Sequence, residues 1–133
     1  MYLLDTNIVS ELRKPKPHGA VMTWFKSVPE SSLFLCAVTL AEIQAGIEMT
    51  REQDAHKANS IEAWLDQLAS AYNVVPMDGV IFREWAKLMH KKSDTLYEDA
   101  MIAACARVHQ LTVVTRNVRD FKGFKVDLLN PFV

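Results

Sequence analysis

The 133-residue sequence predicts an α/β fold: a mostly parallel sheet covered by helices on both faces. Three observations predict it. Short apolar runs alternate with longer segments whose apolar residues recur at helical spacing, the pattern of βαβ units. One short run, Leu33-Phe34-Leu35-Cys36, is apolar at every position, as in a strand buried on both faces. The composition is half hydrophobic and 23% charged, which fits a single globular domain over 1–133 and not a disordered chain.

The elements follow in order. Tyr2 to Leu4 is a short strand that ends on Asp5-Thr6-Asn7. Ile8 to Leu12 suits one or two helical turns, with Thr6 or Asn7 as cap. Arg13-Lys14-Pro15-Lys16-Pro17 breaks that helix. A second helix spans about His18 to Ser27, with Val21, Trp24 and Phe25 on one face. Pro29 to Ser32 turns the chain into the strand at 33–36. A helix opens at Thr39-Leu40-Ala41-Glu42 and runs to about Met49. Polar residues 50–54 interrupt it, and a longer helix covers about Ala55 to Tyr72, with Ile61, Trp64, Leu65 and Leu68 in phase. These two helices between consecutive strands form a projecting helical hairpin. Val74 to Met77 is a strand whose proline suits an edge or a strand end. Asp78 caps a helix over about Val80 to His90. Lys91 to Asp94 is a loop, Leu96 to His109 an alanine-rich helix, Leu111 to Val114 a strand, and Lys125 to Leu128 the last strand.

Several function classes lose support at once. No apolar run approaches the roughly 18 residues that would span a membrane. The N-terminus does not read as a signal peptide, so the cytoplasm is the expected location and no membrane partner is expected. Cys36 and Cys105 read as small buried thiols, and the four histidines lack a His or Cys partner at metal-ligand spacing. The net charge of −1 hides an asymmetry: residues 83–133 hold nine Lys/Arg against six Asp/Glu, and residues 1–82 hold six against ten. A phosphate-rich partner or an ordinary solvated face explains this equally well.

Four acids carry the chemical signal. Asp5 and the Thr115-Arg116-Asn117-x-x-Asp120 segment follow strands, so in a parallel sheet they emerge from one edge. Ligands of open α/β sheets bind outside that edge, at the switch point of the strand order. Glu42 and Asp99 lie near the starts of helices that leave the same edge, each on an apolar or small face. Each has a plainer reading. Thr39-x-x-Glu42 and Thr95-x-x-Glu98 are possible capping boxes, Asp99 can complement a helix N-terminus, and Asp120 can be a turn acid. Taken together, four carboxylates in one pocket repel unless a hard divalent cation neutralises them, and Mg2+ or Mn2+ takes oxygen ligands and bridges to phosphate. The leading chemistry is then phosphodiester hydrolysis. Thr6, Asn7, Thr115 and Asn117 would orient carboxylates or waters. Lys91, Lys92, Arg116, Arg119 and Lys122 are possible RNA contacts, or solvated surface. A phosphotransfer enzyme fits poorly, because Asp5-Thr6-Asn7 lacks a second acid two residues on.

These motifs resemble those of the PIN-domain ribonucleases. Leu3-Leu4-Asp5-Thr6-Asn7 resembles the opening motif, Thr39-Leu40-Ala41-Glu42-Ile43-x-x-Gly46 the second, Glu98-Asp99-Ala100-Met101-Ile102-Ala103-Ala104 the third and Thr115 to Phe121 the fourth. The resemblance runs essentially the whole chain, and is nearest to VapC-type toxins of toxin–antitoxin pairs, including the Fit-type branch. It implies a three-layer α/β/α fold with a central, mostly parallel five-stranded sheet. It implies a Mg2+- or Mn2+-dependent endoribonuclease toxin acting on RNA such as tRNA, a homodimer, and inhibition by a cognate antitoxin that assembles on operator DNA. It assigns metal ligation and catalysis to Asp5, Glu42 and Asp99, with Asp120 as a fourth acid of variable role. The alternative is a binding module that partners a DNA-bound antitoxin, with weak or no catalysis.

Overall fold

In the computed structural model, which describes residues 1–133, strand β1 spans Tyr2–Leu4. Its residues alternate across the strand, so Leu3 and Leu4 enter different cores. Leu3 packs in a cluster with Cys36, Ile81, Ile102 and Val113. Leu4 packs in a cluster with Ile8, Val21, Leu35, Leu65 and Val114. Both leucines are buried, and full burial of such a side chain contributes about 1.5–3 kcal/mol. β1 is therefore clamped from both faces.

Four further strands, β2 (Leu33–Cys36), β3 (Asn73–Val75), β4 (Thr112–Val114) and β5 (Leu128–Leu129), complete a parallel sheet in the order β3-β2-β1-β4-β5. The chain builds outward from β1 through β2 to β3, then crosses to β4 on the other side. The strand order reverses between β1 and β4, and that reversal is the switch point. Leu4 pairs with Val114. One step beyond, the Asp5 amide donates to the Val114 carbonyl at 2.9 Å. Asp5 and Thr115 thus leave the sheet side by side.

The helices are α1 (Thr6–Arg13), α2 (Gly19–Ser27), α3 (Ala37–Arg51), α4 (Ala55–Ala71), α5 (Gly79–Met89), α6 (Tyr97–His109) and the short α7 (Val118–Phe121). α1 and α2 join through the proline-broken segment, which buried Glu11 holds: Oε1 accepts from Lys14 Nζ and Oε2 from the His18 amide, both at 2.9 Å. α3 and α4 form the hairpin. Ile47, Ala58, Leu65 and Leu68 bind its inner face to the core beneath Leu4, while its exposed turn, 52–57, reaches into solvent. Asp54 and Asp78 cap α4 and α5 through Lys57 and Ile81 amides at 3.0 and 2.9 Å.

Several local expectations shift. α1 is capped by Asp5 itself, whose Oδ1 accepts from the Thr6 amide at 2.8 Å, and neither Thr6 nor Asn7 is the cap. α3 starts at Ala37, because β2 runs straight into the helix with Cys36 at the cap position. Thr39 is consequently inside the helix and buried, Glu42 lies in the second turn, and no Thr39–Glu42 capping box forms. α6 starts at Tyr97 after a single 3-10 turn over Asp94–Leu96, and Ser93, not Thr95, caps that turn. β3 ends before Pro76, at the sheet edge, where proline offers no amide donor. β5 falls at Leu128–Leu129 because Lys125 adopts a left-handed turn, φ 55°, that delays the strand. No helix is long and apolar enough to cross a membrane.

Candidate active site

Asp5 is the floor of the site. It is 4% exposed and both of its carboxylate oxygens are bonded. Oδ1 takes the Thr6 amide at 2.8 Å. Oδ2 takes the Thr115 hydroxyl at 2.8 Å and the Asn7 Nδ2 at 2.9 Å. Asn7 is itself held, since its Oδ1 accepts from the Arg116 amide at 3.2 Å. Thr115 in turn accepts from the Asn117 amide at 2.9 Å. Burial raises the Asp5 carboxyl above its ordinary range, the bonds from Thr115, Thr6 and Asn7 oppose that rise, and the charge of Asp120 adds to it.

Glu42 approaches from α3. Its Oε1 accepts from the Thr6 hydroxyl at 2.8 Å, and the same hydroxyl lies 3.2 Å from that of Thr39. One residue, Thr6, therefore touches both acids: its amide holds Asp5 and its hydroxyl holds Glu42. Burial pushes the Glu42 carboxyl up, Thr6 pulls it down, and the charges of Asp5 and Glu98 push it up again.

Asp99 is the third residue of α6 and is half-buried. No hydrogen bond reaches its carboxylate in the side-chain network that holds Asp5 and Glu42. Its carboxyl is pushed up to about 7, first by burial, then by the charges of Asp5, Asp120, Glu42 and Glu98. The four predicted acids thus share one electrostatic neighbourhood. Their roles in it differ. Asp5, Glu42 and Asp99 are sheltered, whereas Asp120 is exposed in α7 and acts on Asp5 and Asp99 as a charge. Glu98 is exposed and adds charge instead of capping the helix.

The donor set suits a hard divalent cation. It is all carboxylate oxygen, mutually repelling, with the Asp99 carboxylate unbonded, and such sites favour Mg2+ or Mn2+. No three His, Cys, Asp or Glu side chains close into a ligand cage in this arrangement. The acids act on one another as charges.

The groups expected to orient the acids divide in two. Thr6, Asn7 and Thr115 make those bonds through their side chains. Asn117 bonds no acid: its main-chain amide donates to the Thr115 hydroxyl, and its side chain is exposed. Thr39 was legible only as a helix cap. Its true place, buried beside Thr6, follows from α3 starting two residues earlier. Of the basic residues, Arg116 stacks over Phe132 at 4.5 Å and Arg119 and Lys122 are exposed on and just after α7. Lys91 and Lys92 are exposed in the α5–α6 loop, and Lys92 lies against Gly123. Lys92 lines a hollow of about 280 Å³ with Lys87, His90, Arg107 and Lys125, and none of the four acids borders it.

The PIN domain family model matches residues 2–125. The chain is 32% identical to Toxin FitB of Neisseria gonorrhoeae, covering 99% of each chain. It is 33% identical to VapC ribonuclease Y4jK of Sinorhizobium fredii, covering 99% of this chain and 98% of the relative. A structure of FitAB bound to an IR36 DNA fragment superposes with a TM-score of 0.87 at 29% identity, over 100% of this chain and 96% of the other. With a family model spanning nearly its whole length and relatives above 30% identity end to end, this chain belongs to the PIN-domain family.

Proposed function

We propose that the chain is a Mg2+-dependent endoribonuclease toxin, also served by Mn2+, that acts in the cytoplasm and is neutralised by a cognate antitoxin. The observation that carries this reading is Asp99: a half-buried, unbonded carboxyl raised to about 7 beside four other acids. Such crowding costs stability, and the first-turn position of Asp99 in α6 returns only about 0.3–1 kcal/mol of it. A counter-cation removes the cost. A purely DNA-tethered binding role leaves these self-repelling acids unexplained.

Asp5, Glu42 and Asp99 would hold the cation, with Asp120 at the rim. When bound, it would acidify a water and neutralise charge on the phosphate. The chain supplies the rest. Thr115 and Asn7 keep the Asp5 carboxylate in one orientation. Thr6 ties Glu42 to the same frame. Arg116 and Arg119, exposed on the segment that carries Asp120, would attract the RNA backbone, so that the anionic substrate is not turned away by the acids themselves. The ribonuclease name of the Sinorhizobium relative supports RNA as substrate, and tRNA is a candidate target.

An active ribonuclease needs a partner that silences it in its own cell. The toxin name of FitB supports that context. An apolar hollow of about 310 Å³, lined by Leu12, Met22, Phe25, Trp64, Leu68 and Tyr72, is a seat for an antitoxin helix. Assembly as a homodimer with antitoxin on operator DNA completes the proposal, and the DNA-bound FitAB neighbour supports the last step.

The test is direct. Purified chain should cut RNA with Mg2+ or Mn2+ and stop in EDTA. Asp5→Ala and Asp99→Ala should each abolish cleavage and growth inhibition while the circular dichroism spectrum stays native. Toxicity retained in both variants refutes the reading.

A further inference from the structure

We propose that the groove running from Glu42 to Trp64 is a subsite for the nucleotide of single-stranded RNA next to the cleaved phosphate, a reading that rests on the proposed ribonuclease function. The groove has a volume of about 260 Å³ and is lined by Thr6, Ser10, Arg13, Glu42, Gly46 and Trp64, among others. It begins at the acids, where Thr6 and Glu42 are bonded to each other. Its walls are two helical stripes. Thr6, Ser10 and Arg13 share one face of α1, and Glu42 and Gly46 share one face of α3. Trp64 closes the far end from α4.

Gly46 is the informative residue. It lies in the interior of a 15-residue helix, where glycine is disfavoured. Its φ is not positive, so the backbone does not require glycine. A Cβ placed there meets nothing within 4 Å, so packing within the chain does not require it either. A side chain at this position would stand in the groove. The missing side chain therefore leaves room for something outside the chain.

The groove's chemistry matches a nucleotide. Trp64 is half-buried and offers an aromatic ring, and the Arg13 guanidinium sits 6.0 Å from that ring. Arg13 is exposed and belongs to none of the chain's ion pairs, so its charge is free. Single-stranded RNA is held by an aromatic or guanidinium plane against the base and a cation on the phosphate. The exposed Ser10 hydroxyl, which also lines the groove, can read a base or ribose edge. The apolar hollow on the other side of Trp64, lined almost entirely by hydrophobic residues, suits a protein partner better.

The experiment uses the full chain, free of antitoxin, and a fluorescent single-stranded RNA oligonucleotide. Gly46→Leu carries a side chain into the groove from a position where the Cβ itself meets nothing, and Gly46→Ala, which adds only that Cβ, serves as the mild control. Gly46→Leu should raise KM about tenfold with kcat within about twofold, the pattern of lost binding. It should weaken RNA binding in EDTA by a similar factor and alter the preference for the base beside the cut. Arg13→Gln should weaken binding and lower the salt slope by about one. Antitoxin affinity should stay within about twofold in Gly46→Leu. Unchanged RNA binding in a natively folded Gly46→Leu chain overturns the proposal. So does loss of antitoxin binding alone, which assigns the groove to the protein partner. A wild-type chain that binds RNA about tenfold better than Gly46→Leu but cuts none refutes the nuclease reading and supports the groove assignment.

Discussion

Replacing Asp99 with asparagine should stabilise the metal-free protein at alkaline pH and not at acid pH. Asp99 carries a carboxyl raised from 3.8 to about 7 by burial and by four neighbouring acids. A raised carboxyl means that the folded state binds the proton more tightly than the unfolded state. Stability is then present at low pH and is lost as pH rises from about 4 through about 7. At roughly 1.36 kcal/mol per pH unit, the whole span would cost about 4 kcal/mol by pH 8. The side chain is half-exposed, and solvent screening removes at least half of that, leaving about 1–2 kcal/mol. For a chain of this length that is a melting-temperature change of about 4–7 °C. The assay is thermal unfolding of wild type and Asp99→Asn in EDTA from pH 4.5 to pH 8. Asp99→Asn should gain little at pH 4.5 and about 4–7 °C at pH 8, and adding Mg2+ should close the gap by stabilising wild type alone. An equal gain at both pH values, or no gain at pH 8, refutes the charge-crowding argument.

Two other perturbations reach the support of the site and its basic flank. Thr115→Val keeps the shape but removes the hydroxyl that donates to Asp5 and accepts from Asn117; it should cost about 1.5–3 kcal/mol in urea unfolding at pH 8 and push the Asp5 carboxyl higher still, whereas Thr115→Ser should recover most of the loss. Lys92→Gln and Lys125→Gln, in the basic hollow beyond α7, should each lower the salt slope of RNA binding by about one if they meet phosphates; an unchanged slope marks them as ordinary solvated surface.

Much of the site was readable in the chain. Asp5 follows an apolar run, Thr115 follows another, and both had to leave a parallel sheet at the same edge. The alternation of strands and helices placed Glu42 and Asp99 near that edge as well. The helix caps were read less well. Thr39-x-x-Glu42 and Thr95-x-x-Glu98 have the letters of capping boxes, and neither forms one. A cap is worth about 1 kcal/mol. Running β2 directly into α3 buries Val38 and Thr39 against the body, and that burial decides where the helix starts. Local motifs lose wherever a larger packing gain points elsewhere. Asn117 supports the site one step back, its backbone amide donating to the Thr115 hydroxyl that holds Asp5.

By itself the sequence determined the α/β class, the residue types of the acid set and their order along the chain, because hydrophobic periodicity and charge are local properties. Which groups touch was decided only by the tertiary structure. The Thr115 hydroxyl meets Asp5 across 110 residues because β4, and not β2 alone, pairs with β1, in a register that sets Leu4 opposite Val114. No spacing in the chain encodes that pairing. It follows from burying both faces of β1 at once, so the Asp5 site, the Thr6 link to Glu42 and the groove behind Gly46 exist only once the two cores have closed around that strand.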